Sequence, residues 1–389
     1  MPAESSSQIA PGIGDLLVVA RTFASDRVGL LSVLAKIPDP RKPRGVRHRL
    51  AVVLGLAVCA VLAGARSYVA IAEWAADADA ATLAELDAGG VVASESTFRR
   101  TLQRLDASVF DDAVGAWTQI RTRPGPGRRR LIAVDGKTLR GSAQDGRPGR
   151  HLLAALDHTH GVVLGQVDVE AKTNEIPMFS TLLDRIDLAD AVVTADAMHA
   201  QRGHADYLAG RGAHYVLTVK RNQPHLHSQL KKLPWRDIPV GHVTRDRGHG
   251  RIERRTLKVT TVEAGLLFPH AVRAVQIVRR RRPLKGKKRW STETVYAITS
   301  LTPAQAGPIE LAAIIRGHWS IENSLHWVRD MAYDEDRSQT RTHNGPRVMA
   351  GLRNLAITIL RLTGTINIAE ALRRNARRPQ RPLQTIRRC

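Results

Sequence analysis

LIAVDGKTLRGS, Leu131 to Ser142, carries an apolar, β-branched run into Asp135, and VVTADAMHAQ, Val192 to Gln201, does the same at Asp196. An Asp that ends a buried strand is held rigidly while its oxygens reach solvent at the sheet edge. The surroundings of both segments alternate strand and helix. LIAVDG, HLLAALD and GVVLGQVDVE read as three consecutive strands, the last two joined by a tight turn near residues 159–161. NEIPMFSTLLDRI then reads as a helix, AVVTAD as a strand, HAQRGHADYLAGRG as a helix and AHYVLTVK as a strand. A three-strand meander followed by alternating helices and strands predicts an α/β fold, a mixed sheet flanked by helices.

Outside this stretch the patterns differ. Residues 1–25 read as a loose leader without the basic start and apolar run of a signal peptide. Residues 26–120 are helical in pattern. SESTFRRTLQRLD sets Phe98, Leu102 and Leu105 on one face and Arg99, Arg100 and Arg104 on another, as a basic surface helix or part of a DNA-reading helix-turn-helix. LAVVLGLAVCAVLAGA, Leu50 to Ala65, is too short for a membrane span and reads as a core helix. RTRPGPGRRR, 121–130, is the linker into the sheet domain of 131–362. Between about 222 and 301 the helical pattern vanishes, and RTLKVTTV, RAVQIVRR and STETVYAITS read as strands of an inserted β-rich subdomain. The Arg- and Pro-rich tail, 363–389, reads as disordered.

The third acidic motif is RGHWSIENSLHW around Glu322. On one helix, Ile314, Ile321, Leu325 and Val328 form an apolar stripe, and His318, Glu322, His326 and Arg329 form a polar stripe beside it. Two strand-end aspartates and a helix glutamate can converge on two Mg²⁺ ions, which prefer hard oxygen ligands and suit phosphodiester chemistry. Each residue has a plainer reading. Strand-end Asp residues cap turns, and Glu322 fits a salt-bridged helix face. Asp330, Asp334, Glu335 and Asp336 compete for the third position. A zinc site at His318, Glu322 and His326 lacks the HExxH pattern.

Composition narrows the substrate. Lys and Arg total 59 against 36 Asp and Glu, a net charge of +23, which favours a polyanion over a small neutral substrate. Candidate phosphate contacts are Lys137 and Arg140 after the first Asp, then Lys220, Arg221 and Asn222 after a strand. Arg247, His249 and Arg251 lie in the Gly-punctuated segment RDRGHGRIERR, read as a loop. Trp235, Trp290, Trp319 and Trp327 are either core residues or platforms for unpaired bases. Two cysteines, Cys59 and Cys389, exclude a disulfide framework and a four-cysteine zinc site, and fit a reducing cytoplasm.

IPDPRKPRGVRHRL, AVDGKTLRGS, VVTADAMHAQ, YVLTVKRNQP, RGHGRIERR and RGHWSIENSLHW occur in this order. The series resembles bacterial insertion-sequence transposases of the H-repeat-associated branch, over roughly residues 30–362. The resemblance implies an RNase H-like core with a β-rich insertion before the last acidic residue. It also implies Asp135, Asp196 and Glu322 as a DDE triad holding two Mg²⁺, with Mn²⁺ as a substitute. It further implies double-stranded DNA partners (terminal inverted repeats and target) and a homodimer in synapsis. Related transposases often carry Tyr, Arg and Lys around the helix glutamate. Ile315, His318 and Arg329 stand at those places here, so the Tyr role is unfilled, Arg329 can serve as the cation and His318 can do so when protonated; His318, His326 and Arg329 are candidate DNA contacts. Two alternatives remain: an RNase H-like nuclease, or a non-catalytic DNA-binding relic of a mobile element.

Overall fold

The computed structural model describes residues 29–389 except 45, 145, 170–173, 249, 263–265 and 286–288. The leader and His249 therefore lie outside the described residues.

Apolar strands order the molecule. β1 (Leu131–Thr138), β2 (His151–Asp157) and β3 (Val162–Val169) form an antiparallel meander. β4 (Val192–Ala195) and β5 (His214–Val219) then add parallel to β1 and to each other. The order β3-β2-β1-β4-β5 is the RNase H-like arrangement that the resemblance implies. The expected β-rich insertion continues this sheet edge to edge: β9 (Ser291–Thr299) pairs with β5, followed outward by β8 (Arg273–Pro283), β7 (Arg251–Thr261) and β6 (His242–Gly248).

Helices cover both faces. On one, α7 (Met178–Leu183), α8 (Arg202–Gly210) and α9 (Pro224–Lys232) enclose Ile132, Val134, Val193, Tyr215 and Leu217. On the other, Ala133, Ala154, Leu156 and Val163 join a core made with the helices of both chain ends. Those of the N-terminal side are α1 (Leu30–Leu34), α2 (Leu50–Leu62), α3 (Tyr68–Ala76), α4 (Ala80–Glu85), α5 (Glu95–Arg104) and α6 (Ala107–Arg121). α2 is buried from Val52 to Leu62 and is a core helix, as its length requires. On α5, Phe98 and Leu102 are buried, while Arg99, Arg100 and Arg104 face out. No helix among the described residues is long and apolar enough to cross a membrane.

Four expectations change. Residues 222–301 contain a helix, α9, whose Leu226 and Leu230 bury a short apolar edge. RDRGHGRIERR is a hairpin, not a loop, because β6 and β7 pair from His242↔Leu257 to Gly248↔Arg251. The tail is not disordered: α13 (Ile368–Ala376) and α14 (Gln380–Arg387) bury Ile368, Leu372, Leu383 and Ile386 in the main helical core. The Glu322 segment is not one continuous helix. α10 (Pro308–Gly317) gives way to a π-helical turn, Glu322–His326, and then to α11 (Trp327–Tyr333). α12 (Gly345–Leu362) follows, buried along nearly its whole length.

Candidate active site

Register brings the two aspartates together. β1 and β4 run parallel with Val134 opposite Ala195, so Asp135 and Asp196 are the next residues on neighbouring strands. Side chains alternate across a strand. Ile132 and Val134 face α7 and α8, so Asp135 shares the face of Ala133, which belongs to the same core as Ile321 and Leu325. Those two buried residues anchor the π turn. A π turn is rare and frequently marks a functional site, and here it carries Glu322 and His326 to the end of β1. The apolar stripe expected of this segment is present: Ile314, Ile321, Leu325 and Val328 are all buried.

His326 Nδ1 lies 3.7 Å from Asp135 Oδ2 and 3.6 Å from Glu322 Oε2. Ligand atoms of the three residues fall within 4.8 Å of one another. Burial, then the neighbouring charge of Glu322, pushes the Asp135 carboxyl up to about 7. The His326 hydrogen bond holds Glu322 below the usual carboxylate range, and burial lowers His326. At neutral pH the imidazole is uncharged, and the cation whose charge reaches Glu322, Lys137, is paired with Asp330. Two hard oxygen donors and one nitrogen in such a pocket suit a divalent cation.

Asp196 stands beside this cluster, not inside it. Its Oδ1 accepts from the Met198 N–H at 2.9 Å, so the plainer turn-capping reading also holds. The side chain is nevertheless half-exposed, and its charge acts on Asp135 and His318. Asp196 lines a cleft of about 540 Å³ with Lys220, Arg221, Asn222 and Gln201. Asn222 Nδ2 donates to the Ala197 carbonyl at 2.6 Å, which fixes the loop after β5 against the loop after β4.

Of the candidate phosphate contacts, Arg140, Arg247 and Arg251 are exposed, the first 3.6 Å from Asp336 and the last 3.6 Å from Glu253. Lys137 is held by Asp330 at 2.7 Å. Three candidates are corrected. Arg329 is buried, and its Nε donates to Glu335 Oε2 at 2.8 Å while Arg353 donates to the other oxygen at 2.8 Å. It cannot reach a phosphate without leaving that pair. His318 is half-buried with its Nδ1 3.1 Å from Thr194 Oγ1, and burial lowers its pKa, so it is no cation at neutral pH. His326 is buried against carboxylates instead of facing the surface. Trp235 is core, whereas Trp319 and Trp327 are exposed on the helical segment that carries Glu322.

One cluster escaped sequence reasoning. Buried Glu175 accepts from His151 Nε2 at 2.7 Å and is 3.1 Å from His199 Nε2. Burial would raise its pKa, but these hydrogen bonds bring it down to about 2. Thr138 Oγ1 is 2.8 Å from His151 Nδ1, completing a bracket behind the end of β1. The bracket needs Gly136: a Cβ there would lie 2.2 Å from Glu175 Oε1 and 2.5 Å from His151 Nε2. The available signal was that glycine, directly after the first aspartate.

Comparison with known proteins identifies the family. Residues 126–359 match a family model described as "Transposase DDE domain", and residues 31–118 match one described as "DDE_Tnp_1-associated". The chain is 32% identical over 345 residues to "Putative transposase YncI" of Escherichia coli O157:H7, covering 85% of this chain and 87% of the relative. It is 28% identical to "H repeat-associated putative transposase YhhI" of Escherichia coli K12, covering 85% and 90%. A piggyBac transposase in a synaptic complex with hairpin DNA superposes with a TM-score of 0.42 at 12% identity, over 92% of this chain and 79% of that one. That superposition is too distant to add to the assignment. The chain belongs to the bacterial DDE transposases, in their H-repeat-associated branch.

Proposed function

We propose that this transposase binds the terminal inverted repeats of its element as duplex DNA, cleaves a strand at the element end and joins the freed 3′-hydroxyl to target DNA. The observation that carries the reading is the convergence of Asp135 and Glu322 on His326, with Asp196 on the adjoining strand end. Asp135, Asp196 and Glu322 would hold Mg²⁺, with Mn²⁺ as a substitute. When bound, such ions activate a water or hydroxyl nucleophile and stabilise the departing oxygen.

The chain's own residues do the rest. His326 orients Glu322 through the bond that keeps it ionised. Lys220 and Arg221, beside Asp196 in the cleft, bind a phosphate against it. Arg140, exposed just past β1, holds the neighbouring backbone, and Asn222 keeps the two loops in register. The Glu175 bracket fixes the end of β1, and hence the aim of Asp135. Joining two element ends requires at least two copies of the chain, working in the cytoplasm at the nucleoid.

The test is cleavage and joining of labelled duplex carrying the element's own ends, with Mg²⁺, by wild type and Asp196→Asn. Cutting at the element boundary that disappears in the variant while DNA binding persists supports the reading, and transfer to a second duplex separates transposition from simple nuclease action. Sequence-specific binding without cutting in either Mg²⁺ or Mn²⁺ would instead identify a non-catalytic relic.

A further inference from the structure

The outer strands overhang the core. β5 ends at Val219, opposite Tyr296, and Tyr296 pairs with Gln276. From that row β9 reaches back to Ser291 and β8 runs on to Pro283, so they project roughly 17 and 23 Å beyond the end of β5. β1, β4 and β5 are parallel, so this overhang leaves the edge that carries Asp135, Asp196 and Lys220.

Alternation sorts the charges of this arm onto two unlike faces. The face toward α10 is balanced. Glu253, buried, binds Arg255 at 2.6 Å and Arg279 at 2.9 Å, and Glu293 binds Arg281 at 2.7 Å. Asp246 binds Arg255 at 3.0 Å and Arg316 of α10 at 3.2 Å. The opposite face carries Arg245, Arg247, Arg254, Arg280 and Arg282, and no carboxylate among the described residues. None of these five makes an ion pair among the described residues. The register sets Arg245 opposite Arg254 and Arg254 opposite Arg280, a row of three like charges across three strands. Like charges directly opposite one another destabilise a sheet, and no carboxylate among the described residues offsets this row. Trp290 stacks beneath the guanidinium groups of Arg280 and Arg282, at 5.2 and 5.1 Å, and holds them on this face. The four arginines at 245, 247, 254 and 280 are exposed.

We propose that this face is a DNA-backbone clamp. The row Arg245, Arg254 and Arg280, with Arg247 and Arg282, grips phosphates of duplex DNA outside the site of cleavage. The occupant follows from the chemistry: planar guanidinium donors on an extended strip without acids among the described residues complement a linear array of phosphates. The proposal rests on the transposase reading and adds a surface that the carboxylate site does not include. Because it touches backbone, it contributes affinity without sequence preference.

The test is fluorescence anisotropy with a labelled duplex of mixed sequence, in EDTA, over a range of salt. Wild type is compared with the triple variant Arg245→Gln/Arg254→Gln/Arg280→Gln, its all-lysine counterpart, and Arg281→Gln on the balanced face. Loss of three phosphate contacts should flatten the slope of log affinity against log salt by about 2.7. The lysine triple should recover most of that slope, and Arg281→Gln should leave it unchanged. Mn²⁺ binding at the carboxylate site should be the same in all four proteins, which shows that the core is intact. An unchanged slope in the glutamine triple would overturn the clamp, as would an equal fall in Arg281→Gln. Wild type that fails to bind duplex at all would overturn the transposase reading, and the clamp with it.

Discussion

Two charge clusters flank α11, one buried throughout and one half-open, and they are neutralised in opposite ways. At its C-terminal end, Glu335 sits between Arg329 and Arg353, all three nearly inaccessible, and the two guanidiniums hold the carboxylate below its usual pKa despite burial. At its N-terminal end, half-buried Asp135 and exposed Glu322 share a neutral histidine. The cation whose charge reaches Glu322, Lys137, is already paired with Asp330, and Asp135 retains its proton to about 7. The first cluster is complete within the chain. The second becomes complete only with added positive charge. A half-buried acid that its own fold leaves under-neutralised is the stronger sign of a site.

The largest expected difference is in activity. Asp135→Asn removes a ligand but also removes repulsion, so cleavage should fall at least about a thousandfold, about 4 kcal/mol of barrier, without a lower Tm in the metal-free protein. A loss of Tm matching the loss of cleavage would erase the contrast. Glu335→Gln should do the reverse, because it leaves Arg329 and Arg353 buried without an anion. The expected cost is about 3–5 kcal/mol of stability, measured by chemical denaturation, and restoring only folding conditions should restore activity. Gly136→Ala tests the bracket between the two behaviours. The methyl must displace Glu175 or His151, at about 1–3 kcal/mol, and should impair cleavage more than its effect on stability explains.

The smallest effect is the pH response. Asp135 binds its proton more tightly folded than unfolded, so the metal-free fold loses stability as pH rises from about 4 toward about 7. A cation must displace that proton, so divalent affinity should gain about tenfold per pH unit over the upper part of this window and level off above about 7. Calorimetry in buffers of different ionisation heat should find close to one proton released per binding event at pH 6. The Glu335 cluster should contribute no such dependence at those pH values.

The core of this fold was legible because its strands are short, apolar and bounded by aspartates and glycines. LIAVD and VVTAD could only be buried strands, and their pairing in parallel is what sets Asp135 beside Asp196. Glu322 was legible through the apolar spacing around it. The π turn was not, since a one-residue widening leaves the same residues on nearly the same face. Arg329 misled for a related reason: its helical position beside Glu322 says nothing about Glu335 and Arg353, which the later chain brings in. The tail misled through composition, because a few periodic apolar residues (Leu372, Leu383, Ile386) outweigh many arginines once a groove is available to bury them. The Glu175 bracket depends on contacts between distant segments and has no local period at all.

The most direct test of the central claim is a Mn²⁺ titration by electron paramagnetic resonance, on the metal-free protein and on Asp135→Asn, Asp196→Asn and Glu322→Gln. Wild type should take up the ion, and each substitution should weaken that uptake, most strongly at Asp135 and Glu322, where the ligand atoms already converge. Equal uptake in wild type and Asp135→Asn would contradict the claim that these carboxylates form the metal site.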